Sequence, residues 1–344
     1  MRKYWYHIVV SLVLPLFLLS ACGGQAGPER VCVVLDREGE TDKGFNEFSL
    51  KGAREAAERN GLAFQHVITP GDNQYKRMID NFVEDGCDLI ITVSFLMGDA
   101  TAEAAREYPD VHFAIVDLDY GSGYGCDENV DSCYTEEGGL TNVTSLMFAE
   151  DEVGFLAGAL AACMSETDVI GVVGGMAIPP VVRFVDGYTA GARHYNENVT
   201  VLSTYLDTFE DTTRGKLEGE AMLDEGADVL FAAAGLAGNG TLLAAHEQGA
   251  MAIGVDVDQY LTFPEVGSSL LTSASKKVDV ATGDAVDAFA AGELESGIRL
   301  STLKNEGVGL TPYHEFEDQV MDICDSAVKT ARTGIITGRL STAP

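Results

Sequence analysis

Residues 89–117, LIITVSFLMGDATAEAAREYPDVHFAIVD, contain two apolar runs separated by a helical segment. The runs 89–93 and 111–117 are rich in Val, Ile and Phe and lack an alternation of polar and apolar residues, which is typical of strands buried on both faces. The segment 100–108 between them favours a helix. A strand, a helix and a second strand in this order predict a βαβ unit with parallel strands.

The same alternation extends over most of the chain in both directions. Further short apolar runs, each followed by an amphipathic segment, predict strands at 31–35, 63–68, 142–148, 169–173, 200–205, 229–233 and 251–255. The intervening segments predict helices at 45–60, 74–84, 153–164, 181–195, 214–225 and 242–248. The alternation restarts after 142–148, which indicates two successive open α/β lobes. Because ligands of such sheets bind beyond the carboxyl ends of the strands, two facing lobes predict one shared cleft.

The composition excludes several classes of function. The 344 residues carry 54 Asp and Glu against 22 Lys and Arg, a formal net charge of −32. This charge repels phosphate backbones, and the densest basic pair, Lys276 and Lys277, stands alone, so no nucleic-acid partner is expected. The chain has six His and lacks the HExxH, GxSxG and CxxC motifs, so we expect no catalytic residue, no metal site and no cofactor.

The N-terminus predicts export and lipidation. Arg2 and Lys3 precede an apolar run, 8–19, that ends in Leu19-Ser-Ala-Cys22. Residues 1–21 are interpreted as a signal peptide, and the residues around the cut resemble the lipobox of bacterial lipoproteins. Cys22 would then carry the lipid, residues 22–29 would form a tether, and the mature protein would lie outside the cytoplasm, in contact with the membrane only through its anchor. The alternative is an ordinary secretory signal with an incidental cysteine.

An oxidising compartment permits disulfides among the six remaining cysteines. Cys126 and Cys133 lie in a Gly-, Asp- and Ser-rich loop, and they are expected to bridge each other. The other four lie in apolar strand-like or helix-like segments, and buried free thiols are the expectation for Cys32, Cys87, Cys163 and Cys324, with bridging as the alternative.

Residues of a few recurring types follow the predicted strands. They are carboxylates, aromatic rings, one amide and one glycine that allows close approach of the backbone. The residues are Asp36, Phe45, Asn46, Asp117, Phe184, Phe209, Gly235 and Asp256. Carboxylates accept hydrogen bonds from hydroxyls and a ring can stack on a flat ligand, so the set favours a hydroxylated ring compound. Each residue also has an ordinary structural interpretation: the aspartates can be caps or turn residues, Phe184 a core residue and Lys276 a solvated lysine.

The chain resembles the basic membrane protein family, which includes purine-nucleoside receptors of ABC transporters. The resemblance covers about residues 30–310 and is carried by Thr41-Asp-Lys-Gly-Phe-Asn-Glu47, Tyr108-Pro-Asp-Val-His-Phe113, Glu150-Asp-Glu-Val-Gly154, Gly158, Gly174-Gly175, Gly187, Gly191, Phe209-Glu-Asp211 and Gly254-Val-Asp-Val-Asp-Gln259. It implies the type I periplasmic-binding-protein fold, with two lobes joined by a three-segment hinge. The first lobe would comprise 30–148 plus about 279–308, and the second 149–278 plus about 309–344.

The resemblance also implies roles for particular residues. Phe45 would be one stacking ring, opposed by Phe184 or, as second choice, Phe209. Asn46 and Asp117 would read the edge of the base. The remaining candidates are Asp256 with Lys276 for the ribose hydroxyls, Gly235 as backbone near the ribose, and Asp36 at an acidic family position. Arg37 departs from the small residues common at its position in the family.

The implied function is that of a monomeric, lipid-anchored binding protein that delivers a purine nucleoside to an ABC transporter permease. Two alternatives remain: the same fold recognising a sugar or another hydroxylated small molecule, and a nucleoside sensor or adhesin without transport.

Overall fold

The computed structural model describes Met1 and residues 28–136 and 138–342. Cys22, most of the tether and the signal peptide beyond Met1 lie outside the described residues. The described strands are β1 (Arg30–Leu35), β2 (Ala63–Ile68), β3 (Leu89–Val93), β4 (His112–Val116), β5 (Gly121–Ser122), β6 (Gly125–Cys126), β7 (Val143–Phe148), β8 (Val169–Gly174), β9 (Thr200–Tyr205), β10 (Val229–Ala233), β11 (Met251–Asp256), β12 (Leu270–Lys276), β13 (Gly297–Ser301) and β14 (Val308–Leu310). The described α-helices are α1 (Phe45–Asn60), α2 (Tyr75–Glu84), α3 (Gly98–Glu107), α4 (Glu150–Met164), α5 (Pro179–Tyr195), α6 (Thr212–Asp224), α7 (Gly235–Gln248), α8 (Gln259–Thr262), α9 (Val278–Ala290), α10 (Glu317–Ile323) and α11 (Asp325–Ile336).

The strands form two large sheets, one in each of two lobes. The first has the order β13-β7-β4-β3-β1-β2 and is entirely parallel. The second has the order β14-β12-β11-β10-β8-β9 and is parallel except for β14, which pairs antiparallel with β12. The chain passes between the sheets three times: from β7 into α4, from β12 into α9 and from β13 to β14. The fold is therefore the predicted two-lobed α/β architecture with a three-segment hinge.

Both faces of the first sheet are covered, as the apolar runs predict. Val31, Val33 and Leu35 belong to one hydrophobic core, whereas Cys32 and Val34 belong to another. Since successive side chains of a strand point to opposite faces, β1 is buried on both sides.

Helices α4 and α5 approach each other through glycines. A Cβ atom on Gly158 would lie 1.9 Å from the backbone oxygen of Tyr188, and one on Gly191 would lie 1.9 Å from the backbone oxygen of Phe155. No side chain fits at these distances, so small residues in both helices set how closely the pair packs.

Most predicted bounds agree with the structure within about three residues, but the predicted start of α7 is wrong. The sequence predicts a helix only from 242 onward, but α7 begins at Gly235, so the glycine-rich segment 235–240 forms its first turns. Glycine is a poor helix former in isolation, which is why the predicted helix starts too late along the chain. Tertiary packing reverses the preference here: a Cβ on Gly240 would lie 1.9 Å from the backbone oxygen of Thr212, at the start of α6.

The described residues contain three disulfides. Cys126 is bonded to Cys133, the pair expected from the loop, whereas the expectation of four buried free thiols is wrong. The other two bonds join Cys32 to Cys87 and Cys163 to Cys324, across sequence separations of 55 and 161 residues. These pairings depend on distant segments that meet only in the folded chain, which the local apolar context of each cysteine does not reveal.

Within the described ranges, no helix combines the length and the apolar character that crossing a bilayer requires.

Candidate functional site

A cavity lies between the lobes, at the edge where the carboxyl ends of the parallel strands meet. Its walls include eight of the nine predicted ligand-binding residues: Asp36, Phe45, Asp117, Phe184, Phe209, Gly235, Asp256 and Lys276. The first sheet contributes Asp36 after β1 and Asp117 after β4, and the second contributes Asp256 and Lys276 as the last residues of β11 and β12. The parallel topology therefore brings together residues up to 240 positions apart, from Asp36 to Lys276.

The aromatic rings of the cavity differ in their surroundings. Phe45 and Phe209 are partly exposed, whereas Phe184 is only 3% exposed and packs edge-on against Phe231 with 5.8 Å between ring centroids. Phe184 therefore serves as a core residue and also forms part of the cavity wall. The Lys276 ammonium lies 5.1 Å from the centroid of Phe45. A cation at this distance from an aromatic face is attracted to it.

Asn46 is the predicted residue that does not line the cavity. It is buried, and its Nδ2 donates a hydrogen bond of 2.6 Å to Asp36 Oδ1. Among the described residues, Asn46 Oδ1 has no hydrogen-bond partner. Asp42 accepts hydrogen bonds from the backbone N–H groups of Asn46 and Glu47 at 2.8 and 2.9 Å, so its side chain caps the first turn of α1 although Gly44 is the N-cap residue. This capped helix start holds Asn46 directly behind Asp36.

Lys276 is buried and paired, so its interpretation as a solvated strand-end lysine is wrong. Its Nζ donates to both carboxylate oxygens of Asp117 at 2.6 Å and lies 3.0 Å from Oε1 of Glu150. Glu150 in turn accepts a hydrogen bond of 2.7 Å from Nε of Arg183. Burial lowers the pKa of Lys276, but the nearby carboxylates of Asp117, Glu150 and Asp256 outweigh burial and raise it above its usual value. The lysine is therefore a permanent positive charge in the cavity wall.

The carboxyl groups around the cavity are desolvated. Burial raises the pKa of Asp36 to about 6 and that of Asp256 to about 7. Burial, reinforced by the charges of Asp36 and Asp42, raises the pKa of Glu38 to about 9. No ion pair to a described residue neutralises Glu38 or Asp256, whereas the described ion pairs of Lys276 involve Asp117 and Glu150. A protonated carboxyl group donates as well as accepts, so the cavity wall offers a ligand both hydrogen-bond donors and acceptors.

The backbone at two cavity aspartates adopts an unusual conformation. Asp117 has φ 71° and Asp256 has φ 64°, in the left-handed region that residues other than glycine rarely adopt. Aspartate tolerates this region better than most residues, and strained backbone of this kind is concentrated at binding sites. Gly235 has φ 55°, and a Cβ on it would lie 3.1 Å from Oε2 of Glu38 on the opposite side of the cavity. A larger residue at 235 would narrow the cleft.

Sequence reasoning missed two acidic residues of the site, Glu38 and Glu150. Glu38 lines the cavity two residues after Asp36. Glu150 is fully buried as the first residue of α4, directly after the first crossing between lobes. Both residues follow predicted strands, and this position was the signal that could have identified them. Nothing in the sequence indicated that Lys276 would lie beside Glu150.

A second, larger cavity of about 800 Å³ adjoins the hinge and shares Asp256 and Lys276 with the first. Its other walls include residues of the second and third crossings, of β14 and of α11. In the described portion of the chain, no three His, Cys, Asp or Glu residues are grouped so that they could hold a metal ion.

Two parallel-sheet lobes, joined by three crossings and enclosing a lined cleft, define a type I periplasmic-binding protein. The chain belongs to the Bmp family: the family model described as "ABC transporter substrate-binding protein PnrA-like" matches residues 30–338. It is therefore a substrate-binding protein of an ABC transporter, and the role of this family is binding rather than catalysis.

Comparison with individual proteins agrees with this assignment. Basic membrane protein D of Borreliella burgdorferi (strain JD1) is 30% identical over 337 residues, which cover 97% of this chain and 93% of the relative. A Lactococcus lactis protein named "ABC transporter nucleoside-binding protein BmpA" is 29% identical, over 91% of this chain and 88% of its own. A crystal structure of an ABC transporter solute-binding protein from Aeropyrum pernix superposes with a TM-score of 0.77 at 27% identity, covering 91% of this chain and 93% of that one.

Proposed function

We propose that this protein binds a purine nucleoside in the interlobe cavity and delivers it to an ABC transporter permease. The observation that carries the proposal is the shared cavity wall: aromatic rings, carboxylates and one buried ammonium converge from both lobes on one space. A purine nucleoside matches this combination because it has a flat ring to stack, nitrogen atoms that donate and accept hydrogen bonds, and ribose hydroxyls. The name of the Lactococcus relative supports the same ligand class.

In this proposal each part of the ligand has its own partners. Phe45 stacks on one face of the base, with Phe184 or Phe209 on the other, and Asp117 reads the base edge. Asp256 and Lys276 hold the ribose hydroxyls, and Gly235 allows its backbone to approach the ribose. Asn46 acts from behind the wall, because its amide is bonded to Asp36.

The proposal includes the location. The sequence around Cys22 supports a lipid anchor on the outer side of the cytoplasmic membrane, where a binding protein captures its ligand before transport. The protein acts as a monomer, because one chain supplies both lobes of the cavity.

Mass spectrometry of the ligand released on denaturing the purified protein, followed by calorimetry, tests the proposal. We expect a purine nucleoside to be released, and adenosine, guanosine or inosine to bind far more tightly than free bases or pentoses. Release of a sugar, together with tighter binding of pentoses than nucleosides, would replace the proposed ligand with the sugar alternative.

A further inference from the structure

Four buried or partly buried charges of alternating sign connect the cavity to the hinge. The order is Asp117, Lys276, Glu150 and Arg183, with 2.6 Å between the first two partners, 3.0 Å between the second and third, and 2.7 Å between the third and fourth. Glu150 has no exposed surface, and Lys276 is 3% exposed. A buried charge that loses its partner is strongly destabilising, so each member of this row constrains its neighbours.

The two carboxylate partners of Lys276 belong to different parts of the molecule. Asp117 follows β4 in the first sheet, so its bond to Lys276 joins the two lobes. Glu150 begins α4, which packs closely on α5, and Arg183 of α5 holds its carboxylate. Glu150 therefore lies on the same side of the cleft as Lys276 at the end of β12. Separation of the lobes would break the Lys276–Asp117 pair but would leave the Lys276–Glu150 pair in place.

We propose that Glu150 is a positioning residue, which holds the Lys276 ammonium at the cavity wall when Asp117 is withdrawn or engaged by ligand. An ammonium has three N–H donors, and in this structure two are directed at Asp117. A ligand that bonds to Asp117, or that accepts a hydrogen bond from Lys276, leaves Glu150 as the fixed partner of the lysine. This inference rests on the proposed function, because it assigns Glu150 to the part of the site that recognises ribose.

The first experiment compares affinities for a nucleoside and for its free base in matched variants. Glu150→Gln should weaken nucleoside binding by about tenfold or more and free-base binding by less than about twofold, because the lost partner belongs to the lysine that holds ribose. Arg183→Met removes the partner that holds the Glu150 carboxylate, so it should lower stability and reduce the nucleoside-to-base ratio by less than Glu150→Gln does. Asp151→Asn, on the same turn of α4, is the control for the loss of a carboxylate.

A double-mutant cycle tests whether Glu150 acts through the lysine. Lys276→Met and the double variant Glu150→Gln/Lys276→Met should bind nucleoside with the same affinity within about twofold, because Glu150 has nothing left to position. An additional tenfold loss in the double variant would overturn the inference. The inference would also be overturned if Glu150→Gln lost affinity equally for nucleoside and free base and Arg183→Met did the same. Glu150 would then have a structural role.

A measurement without ligand separates this inference from the proposed function. Nuclear magnetic resonance of isotope-labelled lysine reports an ammonium group held by carboxylates, and Lys276→Met assigns its signal. The signal should persist in the natural chain and in Asp151→Asn and should be lost or shifted in Glu150→Gln. An unchanged signal in Glu150→Gln would contradict the inference, whereas failure of the natural chain to bind any nucleoside would contradict the proposed function alone.

Discussion

Phe45 is the first residue of α1, and its partly exposed ring forms one wall of the cavity beside the Lys276 ammonium. The start of α1 is fixed by the Asp42 cap, so the ring is presented from a rigid helix end rather than from a loop. An aromatic pair contributes about 0.5–1.5 kcal/mol beyond simple burial, so a preorganised ring is suited to stacking on a flat ligand.

Phe45→Ala should weaken nucleoside binding at least about tenfold and leave the fold intact, because both the stacking and the burial of the base are lost while the ring is only partly buried against the core. Calorimetry measures the affinity, and thermal unfolding checks the fold. Phe48→Ala is the matched control, since Phe48 lies one turn along the same helix and lines the hinge cavity instead. Equal affinities of Phe45→Ala and the natural chain would remove Phe45 from the binding site.

Glu38 should make stability depend on pH. Its pKa is raised by burial to about 9 from an ordinary value of 4.5, so between these values the folded protein holds a proton that the unfolded chain has released. The corresponding stabilisation is present at low pH and is lost as pH rises toward about 9. Glu38→Gln has no carboxyl group to ionise at this position, so it does not lose this stabilisation. The melting temperature of the variant should therefore rise relative to that of the natural chain as pH increases from about 5 to about 9.

The control for Glu38 is Glu55→Gln, which changes an exposed carboxylate on α1. Thermal unfolding at a series of pH values should give parallel curves for Glu55→Gln and the natural chain. Parallel curves for Glu38→Gln as well would show that Glu38 is not desolvated in the folded protein.

At the scale of elements, close helix pairs are built on glycine. Gly158 of α4 and Gly191 of α5 allow each helix to meet the backbone of the other, and Gly52 of α1 does the same against α9, where a Cβ would lie 2.0 Å from the backbone oxygen of Asp279. The α1–α9 contact fixes a helix that follows the second crossing against the first lobe. These glycines therefore hold the elements that surround the hinge.

Gly158→Ala should lower the free energy of unfolding by about 3 kcal/mol, because the added methyl group would force α4 and α5 apart. Urea denaturation measures the change. Gly283→Ala in α9 is the matched control: its Cβ would meet no atom closer than 3.4 Å, so improved helix propensity should leave stability unchanged or raise it by up to about 1 kcal/mol. A loss below about 0.5 kcal/mol for Gly158→Ala would mean that the helix pair relaxes freely.

Most of the longer elements up to β11 were predictable because their signals are local. The apolar runs of β3 and β10 and the amphipathic segment of α1 have the predicted bounds in the structure. Signals that depend on distant partners were not available: the start of α7 is stabilised by packing against α6, and Cys163 meets Cys324 only after the C-terminal helices fold back onto α4.

At the scale of the whole molecule, the site also combines features that local sequence predicts with features that depend on distant partners. The type of each cavity residue and its position at a strand end could be predicted, since parallel topology alone gathers the carboxyl ends of the strands. The pairing of Lys276 with Asp117 and Glu150 could not, because it depends on how the lobes and the crossings are arranged around the hinge. Electrostatic partners across a cleft are a property of the closed molecule and leave no local pattern.

The whole molecule should close around its ligand. A nucleoside that contacts Phe45 in the first lobe and Asp256 in the second binds the closed form better than the open one, and only this difference can shift the population toward closure. Small-angle scattering should show a smaller radius of gyration at saturating nucleoside, and the melting temperature should rise with ligand concentration. Unchanged scattering with an unshifted melting curve would mean that nucleosides do not bridge the lobes.

The proposed binding mode is tested most directly by a crystal structure of the protein soaked with a purine nucleoside. We expect electron density for the base against the ring of Phe45, ribose hydroxyls within hydrogen-bonding distance of Asp256 and Lys276, and either Phe184 or Phe209 on the opposite face of the base. Density for the nucleoside in the hinge cavity, or outside the cleft with Lys276 still bonded only to Asp117 and Glu150, would contradict it.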